Sequence, residues 1–126
     1  MDFEHCSCSG KSLNRLLQPA LLATLSEKPS HGYALLQRVC ELEFFAGAPP
    51  DASGLYKALK EMELEGLVFS SWDLSASGPA RRLYALSSSG EACGRQWVKT
   101  LETYREQIDG LLDLLTKDKP KASTRS

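Results

Sequence analysis

Asp51-Ala-Ser-Gly-Leu-Tyr-Lys-Ala-Leu-Lys-Glu-Met-Glu-Leu-Glu-Gly-Leu-Val68 is a helix with both ends marked and two different faces. Leu55, Leu59 and Met62 recur at helical spacing and form one apolar stripe, while Tyr56, Lys57 and Lys60 lie off it. Pro49 and Pro50 block any helix upstream, Asp51 or Ser53 can cap the first N–H groups, and Gly66 supplies a left-handed residue at the end. Next come two strand-like runs, Leu67 to Trp72 and Arg81 to Leu86, separated by a polar loop. A helix followed by such a hairpin predicts a mainly α fold with a small β-hairpin wing, a winged helix-turn-helix.

Working outward, residues 1–11 lack periodicity and read as a flexible cysteine-containing arm. From Ser12 a helix is expected, with Leu13, Leu16, Leu17, Ala20, Leu21, Thr24 and Leu25 on its apolar face. Pro19 falls inside this pattern, so the helix either kinks near Gln18 or begins there with the proline in its first turn. Pro29 ends it, and Ser30 is expected to cap a second helix from Gly32 to about Leu42, with Leu35, Leu36 and Val39 inward. Phe44 to Pro50 reads as a loop whose two phenylalanines, Phe44 and Phe45, plug the core.

After the wing, Ser87 or Ser88 can cap a last helix reaching about Leu115. Cys93, Trp97, Leu101, Tyr104, Ile108, Leu111, Leu112 and Leu115 form a seam close to a seven-residue repeat. At 1.5 Å per residue such a helix is roughly 42 Å long, more than a small domain needs to cover its own core, so the seam predicts a homodimer. The expected organisation is therefore an arm at 1–11, a winged-helix domain at 12–87, a C-terminal dimerisation helix at 88–116 and a disordered basic tail at 117–126.

The 126 residues suit one domain, and 25% charged with 42% hydrophobic residues is an ordinary soluble mixture. Fifteen basic against sixteen acidic residues give a net charge of -1, so a surface for double-stranded DNA must come from local segregation of cations. Apolar runs are too short to span a membrane, and the first residues lack a signal peptide's regions, so the expectation is a cytoplasmic protein with no membrane partner.

Segregation is present in the helix at 51–68. Ser53, Tyr56, Lys57 and Lys60 occupy its earlier turns, whereas Glu61, Glu63 and Glu65 come later, so the end with the positive dipole also carries the lysines. Arg81 and Arg82 at the wing base can reach phosphate, although strand alternation turns one of them inward or sideways. Tyr33 and His31, at the start of the second helix, either meet a phosphate or serve the fold, Tyr33 packing under the wing and His31 capping. No catalytic triad, phosphate loop or zinc-protease spacing occurs, so no enzyme is expected and no cofactor is required. His5, Cys6 and Cys8 form a weak thiophilic metal or redox signal, while Cys40 and Cys93 read as small buried hydrophobes.

Ser53-Gly54-Leu55-Tyr56, followed by Leu59, Leu64, Glu65, Gly66 and Leu67, resembles the core of PadR-type transcriptional regulators. The resemblance extends to Gly78-Pro79, Arg82 and Tyr84 in the wing, Gly90 in the last helix and His31-Gly32-Tyr33 upstream, covering roughly residues 13–115. It favours Arg82 as the wing arginine that matters. It also implies a ligand-responsive homodimeric repressor of a pseudo-palindromic operator. In some relatives a tryptophan on the final helix stacks planar ligands between subunits, which makes Trp97, with Gln96 and Tyr104, the candidate site for a small planar aromatic effector, the alternative being that Trp97 simply fills the dimer core. Competing expectations are a metal- or redox-responsive repressor using Cys6 and Cys8, and a winged helix that binds protein rather than DNA.

Overall fold

The computed structural model describes residues 16–74, 78 and 80–117. The elements run α1 (Leu17–Glu27), β1 (Ser30–His31), α2 (Gly32–Cys40), a single 3₁₀ turn (Glu43–Phe45), α3 (Ala52–Leu64), β2 (Val68–Asp73), β3 (Arg81–Leu86) and α4 (Ser88–Leu115). The architecture is mainly helical with a three-stranded antiparallel sheet ordered β1-β3-β2.

Helix α1 begins at Leu17 and so takes Pro19 into its first turn, where the missing N–H has no intrahelical partner to lose. It stops at Glu27 because Pro29 pushes the preceding Lys28 into extended backbone. Ser30 departs from the expected capping role. It pairs with Tyr84 in β1, its hydroxyl donates to the His31 carbonyl at 3.3 Å, and α2 starts after His31 without a side-chain cap. Helix α2 closes at Cys40, short of Leu42. Of the two phenylalanines only Phe45 enters the core; Phe44 stays about half exposed and meets the Phe45 ring edge-on at 4.9 Å.

Helix α3 has the caps its sequence promises. Asp51 Oδ1 accepts the Gly54 N–H at 2.8 Å, and Gly66 leaves the helix with φ of 80°, a conformation that side chains with a Cβ avoid. Its buried stripe, Leu55, Leu59 and Met62, meets Leu21 and Leu25 of α1, Leu35 and Val39 of α2, Phe45, Val68 and Tyr84 in one core. At the next junction Ser87 Oγ donates to the Gly66 carbonyl at 2.6 Å and accepts the Gly90 N–H at 3.0 Å, capping α4. A Cβ on Gly90 would collide with the Leu67 carbonyl, so only glycine fits this crossing.

The chain divides into two compact units between Gly94 and Arg95, within α4. The first unit holds the winged helix and the opening turns of α4. The second is the remainder of α4, which exposes Val98, Leu101, Tyr104, Ile108, Leu111, Leu112, Leu114 and Leu115.

Candidate nucleic-acid interface

On α3, burial of Leu55, Leu59 and Met62 leaves Ser53, Tyr56, Lys57 and Lys60 in solvent. The Tyr56 ring lies across the start of α2, so close to Gly32 that any Cβ there would strike the ring and its hydroxyl. Tyr33, one residue on, is 68% exposed and does not pack away under the wing.

Side-chain contacts hold the wing together and tie it to the helices. Trp72 stands opposite Arg82 in the β2–β3 register, and the guanidinium sits 5.0 Å from the centre of the indole ring. Arg82 Nη2 also donates to Ser70 Oγ at 2.8 Å, while Ser70 donates to Glu63 Oε2 of α3 at 2.8 Å. The Arg82–Glu63 separation is 3.8 Å with both groups well exposed, so that ion pair contributes little beside the hydrogen bonds. On the other side of β3, His31 Nε2 and Asp73 Oδ2 are 2.8 Å apart, joining the entrance of α2 to the end of β2. Arg81 and Arg82 are both exposed. The register puts Arg82 on the face of Ser70, Trp72 and Tyr84 and Arg81 opposite Asp73. Tyr84 itself is buried, and burial raises its phenol pKa against the lowering effect of the Arg82 charge.

Tyr33, Tyr56, Arg81 and Arg82 thus gather around one cavity of about 350 Å³, together with His31, Trp72 and Tyr84. Lys57 belongs to the other flank of α3, in an open groove of about 660 Å³ that it shares with Leu17, Pro50 and Met62. Trp72, Asp73 and Glu63 were not expected at the site. Strand alternation contains the signal for Trp72, but only once the register opposes it to Arg82.

Trp97 is half-buried and Gln96 and Tyr104 are exposed, all on the second unit. His5, Cys6 and Cys8 lie outside the described residues, and among the described residues no three His, Cys, Asp or Glu side chains cluster as a metal site. Cys40 and Cys93 are free thiols, half-buried rather than in the core; Cys40 Sγ approaches the Pro50 carbonyl at 3.6 Å and Cys93 Sγ the Gln18 Oε1 at 3.9 Å.

A capped helix with an exposed basic and hydroxyl-bearing face, preceded by a short helix and followed by a pinned hairpin, defines a winged helix-turn-helix. Residues 21–96 match the family model described as the transcriptional regulator PadR-like family, and the chain belongs to that family. The structure is similar to a PadR family transcriptional regulator from Eggerthella lenta DSM 2243, at 26% identity over 85% of this chain and 91% of that one, with a TM-score of 0.72. The same fold recurs in a PadR family regulator from Clostridium difficile R20291, at 21% identity, 77% and 98% coverage and a TM-score of 0.66. It recurs also in a PadR-like regulator from Bacillus cereus strain ATCC 14579, at 21% identity, 79% and 94% coverage and a TM-score of 0.67. No curated protein sequence matches the chain. Among the described residues no helix is long and apolar enough to cross a membrane.

Proposed function

We propose that this regulator acts as a homodimeric repressor, binding a pseudo-palindromic operator through α3 and the wing of each protomer. The observation that carries the reading is the edge at which Tyr33 of α2, Tyr56 of α3 and Arg81 and Arg82 of the wing converge, with Lys57 and Lys60 also exposed on α3, Lys57 on its other flank. In a chain of net charge -1 this is a local concentration of cations and hydroxyl donors on the elements that a winged helix presents to a groove and its flanking phosphates. The exposed seam of α4 supports two-fold association, and two heads related by that symmetry would read two half-sites. A small planar aromatic effector at Trp97, with Gln96 and Tyr104 as hydrogen-bonding groups, would control release, and the place of action would be the cytoplasm.

Selection of bound fragments from genomic DNA, followed by salt titration of the recovered site against random DNA, tests this. The expected result is a two-fold related site bound far more tightly than random sequence, both affinities falling as salt rises. Salt-independent binding, or no enrichment of any fragment, overturns it.

A further inference from the structure

Trp72 lines the same cleft as Tyr33, Tyr56 and Arg81, yet its side chain is 59% exposed. An indole left in water forgoes the free energy that its burial would supply. The ring is nevertheless held in place. The Arg82 guanidinium stands 5.0 Å from its centre, and Arg82 is itself engaged by Ser70 at 2.8 Å, by Glu63 and by Tyr84. Arg82 thus backs the indole, while much of the ring stays uncovered. Phe69, three residues earlier in β2 and 55% exposed, makes the contrast. Strand alternation puts it on the opposite face of the sheet, opposite Ala85 and outside the cleft.

From an aromatic ring fixed in orientation but left uncovered beside Tyr33, Tyr56 and Arg81, we infer that Trp72 is a further DNA-contacting residue, its indole packing on a deoxyribose of the backbone beside the groove that α3 enters. The inference rests on the DNA-binding reading and adds to it a contact of a different chemical kind. A deoxyribose presents C–H surface whatever base it carries, so the contact raises affinity without selecting sequence. Apolar packing also releases no counterion, unlike an arginine or lysine on a phosphate. Loss of Trp72 therefore lowers affinity by the same factor at every salt concentration.

Fluorescence anisotropy of the full chain with a labelled random-sequence DNA duplex, repeated over a range of salt concentrations, tests the contact. Trp72→Ala should bind about tenfold more weakly than wild type at each salt concentration, with the salt slope unchanged. Trp72→Phe should recover most of that loss, and Phe69→Ala should bind as wild type does. Thermal melting checks that each variant is folded. Acrylamide quenching adds a readout that a merely structural tryptophan would not move. The chain has two tryptophans, so Trp72→Phe retains only Trp97. Saturating duplex should shield the tryptophan fluorescence of the wild type from acrylamide but not that of Trp72→Phe. Wild-type affinity in Trp72→Ala, a reduced salt slope in that variant, or equal shielding of wild type and Trp72→Phe overturns the proposal. A wild type that binds no duplex refutes the DNA-binding reading and this contact with it, whereas duplex binding that leaves Trp72 open to acrylamide refutes the contact alone.

Discussion

Tyr84 sits in the middle strand of the sheet, level with Ser30 on one side and Ser70 on the other. Burial raises its pKa above the ordinary value, the Arg82 charge opposing but not reversing the shift. The folded chain therefore holds this proton more tightly than the unfolded chain. The associated stability is fully present below about pH 10 and is lost as pH rises through the folded pKa. Urea unfolding of the wild type should thus weaken more steeply above about pH 10 than that of Tyr84→Phe, and equal slopes would show that Tyr84 does not carry the effect. Asp51 offers a second single-residue test. Its carboxylate satisfies the Gly54 N–H, so Asp51→Ala should cost about 1 kcal/mol, measured as a lower melting temperature, whereas Asp51→Ser should retain most of the stability. An alanine variant as stable as the wild type would mean that solvent serves this N–H equally well.

At the level of elements, α3 and the wing act together because Glu63, Ser70 and Arg82 link them. The lysines of α3 and the arginine of the wing should still differ in what they contribute. Lys57→Ala and Lys60→Ala should each weaken operator binding by about 1–3 kcal/mol if they meet bases, leaving the fold intact because both are exposed. Arg82→Ala should weaken every sequence and lower the salt slope by about one. Binding by a folded Lys57/Lys60 double variant equal to wild type would assign reading to another element. How much of this was legible in sequence depends on how local each signal is. The limits of α3 are written in Asp51 and Gly66, and the start of α4 in Ser87, each within a few residues of the end it marks. Strand β1 has only two residues, too few for any period, and its partner lies far along the chain, so Ser30 read as a cap. Phe44 and Phe45 are chemically identical neighbours, and only the 3₁₀ turn decides which one faces the core. Tyr33, Tyr56 and Arg82 can be named from sequence as candidates, and they line one cleft, whereas the place of Trp72 beside Arg82 and the His31–Asp73 tie require the register.

At the scale of the whole molecule, α4 spaces Trp97, Leu101, Tyr104, Ile108, Leu111 and Leu115 alternately four and three residues apart, the spacing by which a helix presents one apolar seam to a partner helix. All but Trp97 are exposed in one protomer, and Trp97 is half-buried. Covering a Leu or Ile fully gains about 1.5–3 kcal/mol, while association costs at least several kcal/mol in lost freedom, so a stable dimer needs most of the seam. A double Ile108→Asp/Leu111→Asp variant should therefore be a monomer by light scattering, with its winged helix folded because that core lies in the first unit. Coupling between half-sites would be lost with it, lowering operator affinity by about 10²–10⁴-fold; a variant that remains dimeric would move the interface elsewhere. Trp97 separates seam from effector site. If it binds a planar aromatic, Trp97→Ala should dimerise and hold operator yet ignore inducer, whereas a purely structural tryptophan would take the dimer with it. The chain has two tryptophans, so Trp72→Phe leaves Trp97 as the sole indole reporter. Quenching of that reporter by planar aromatics at unchanged dimer mass is the expected result, and an unresponsive signal across a broad panel would leave Trp97 as a packing residue only.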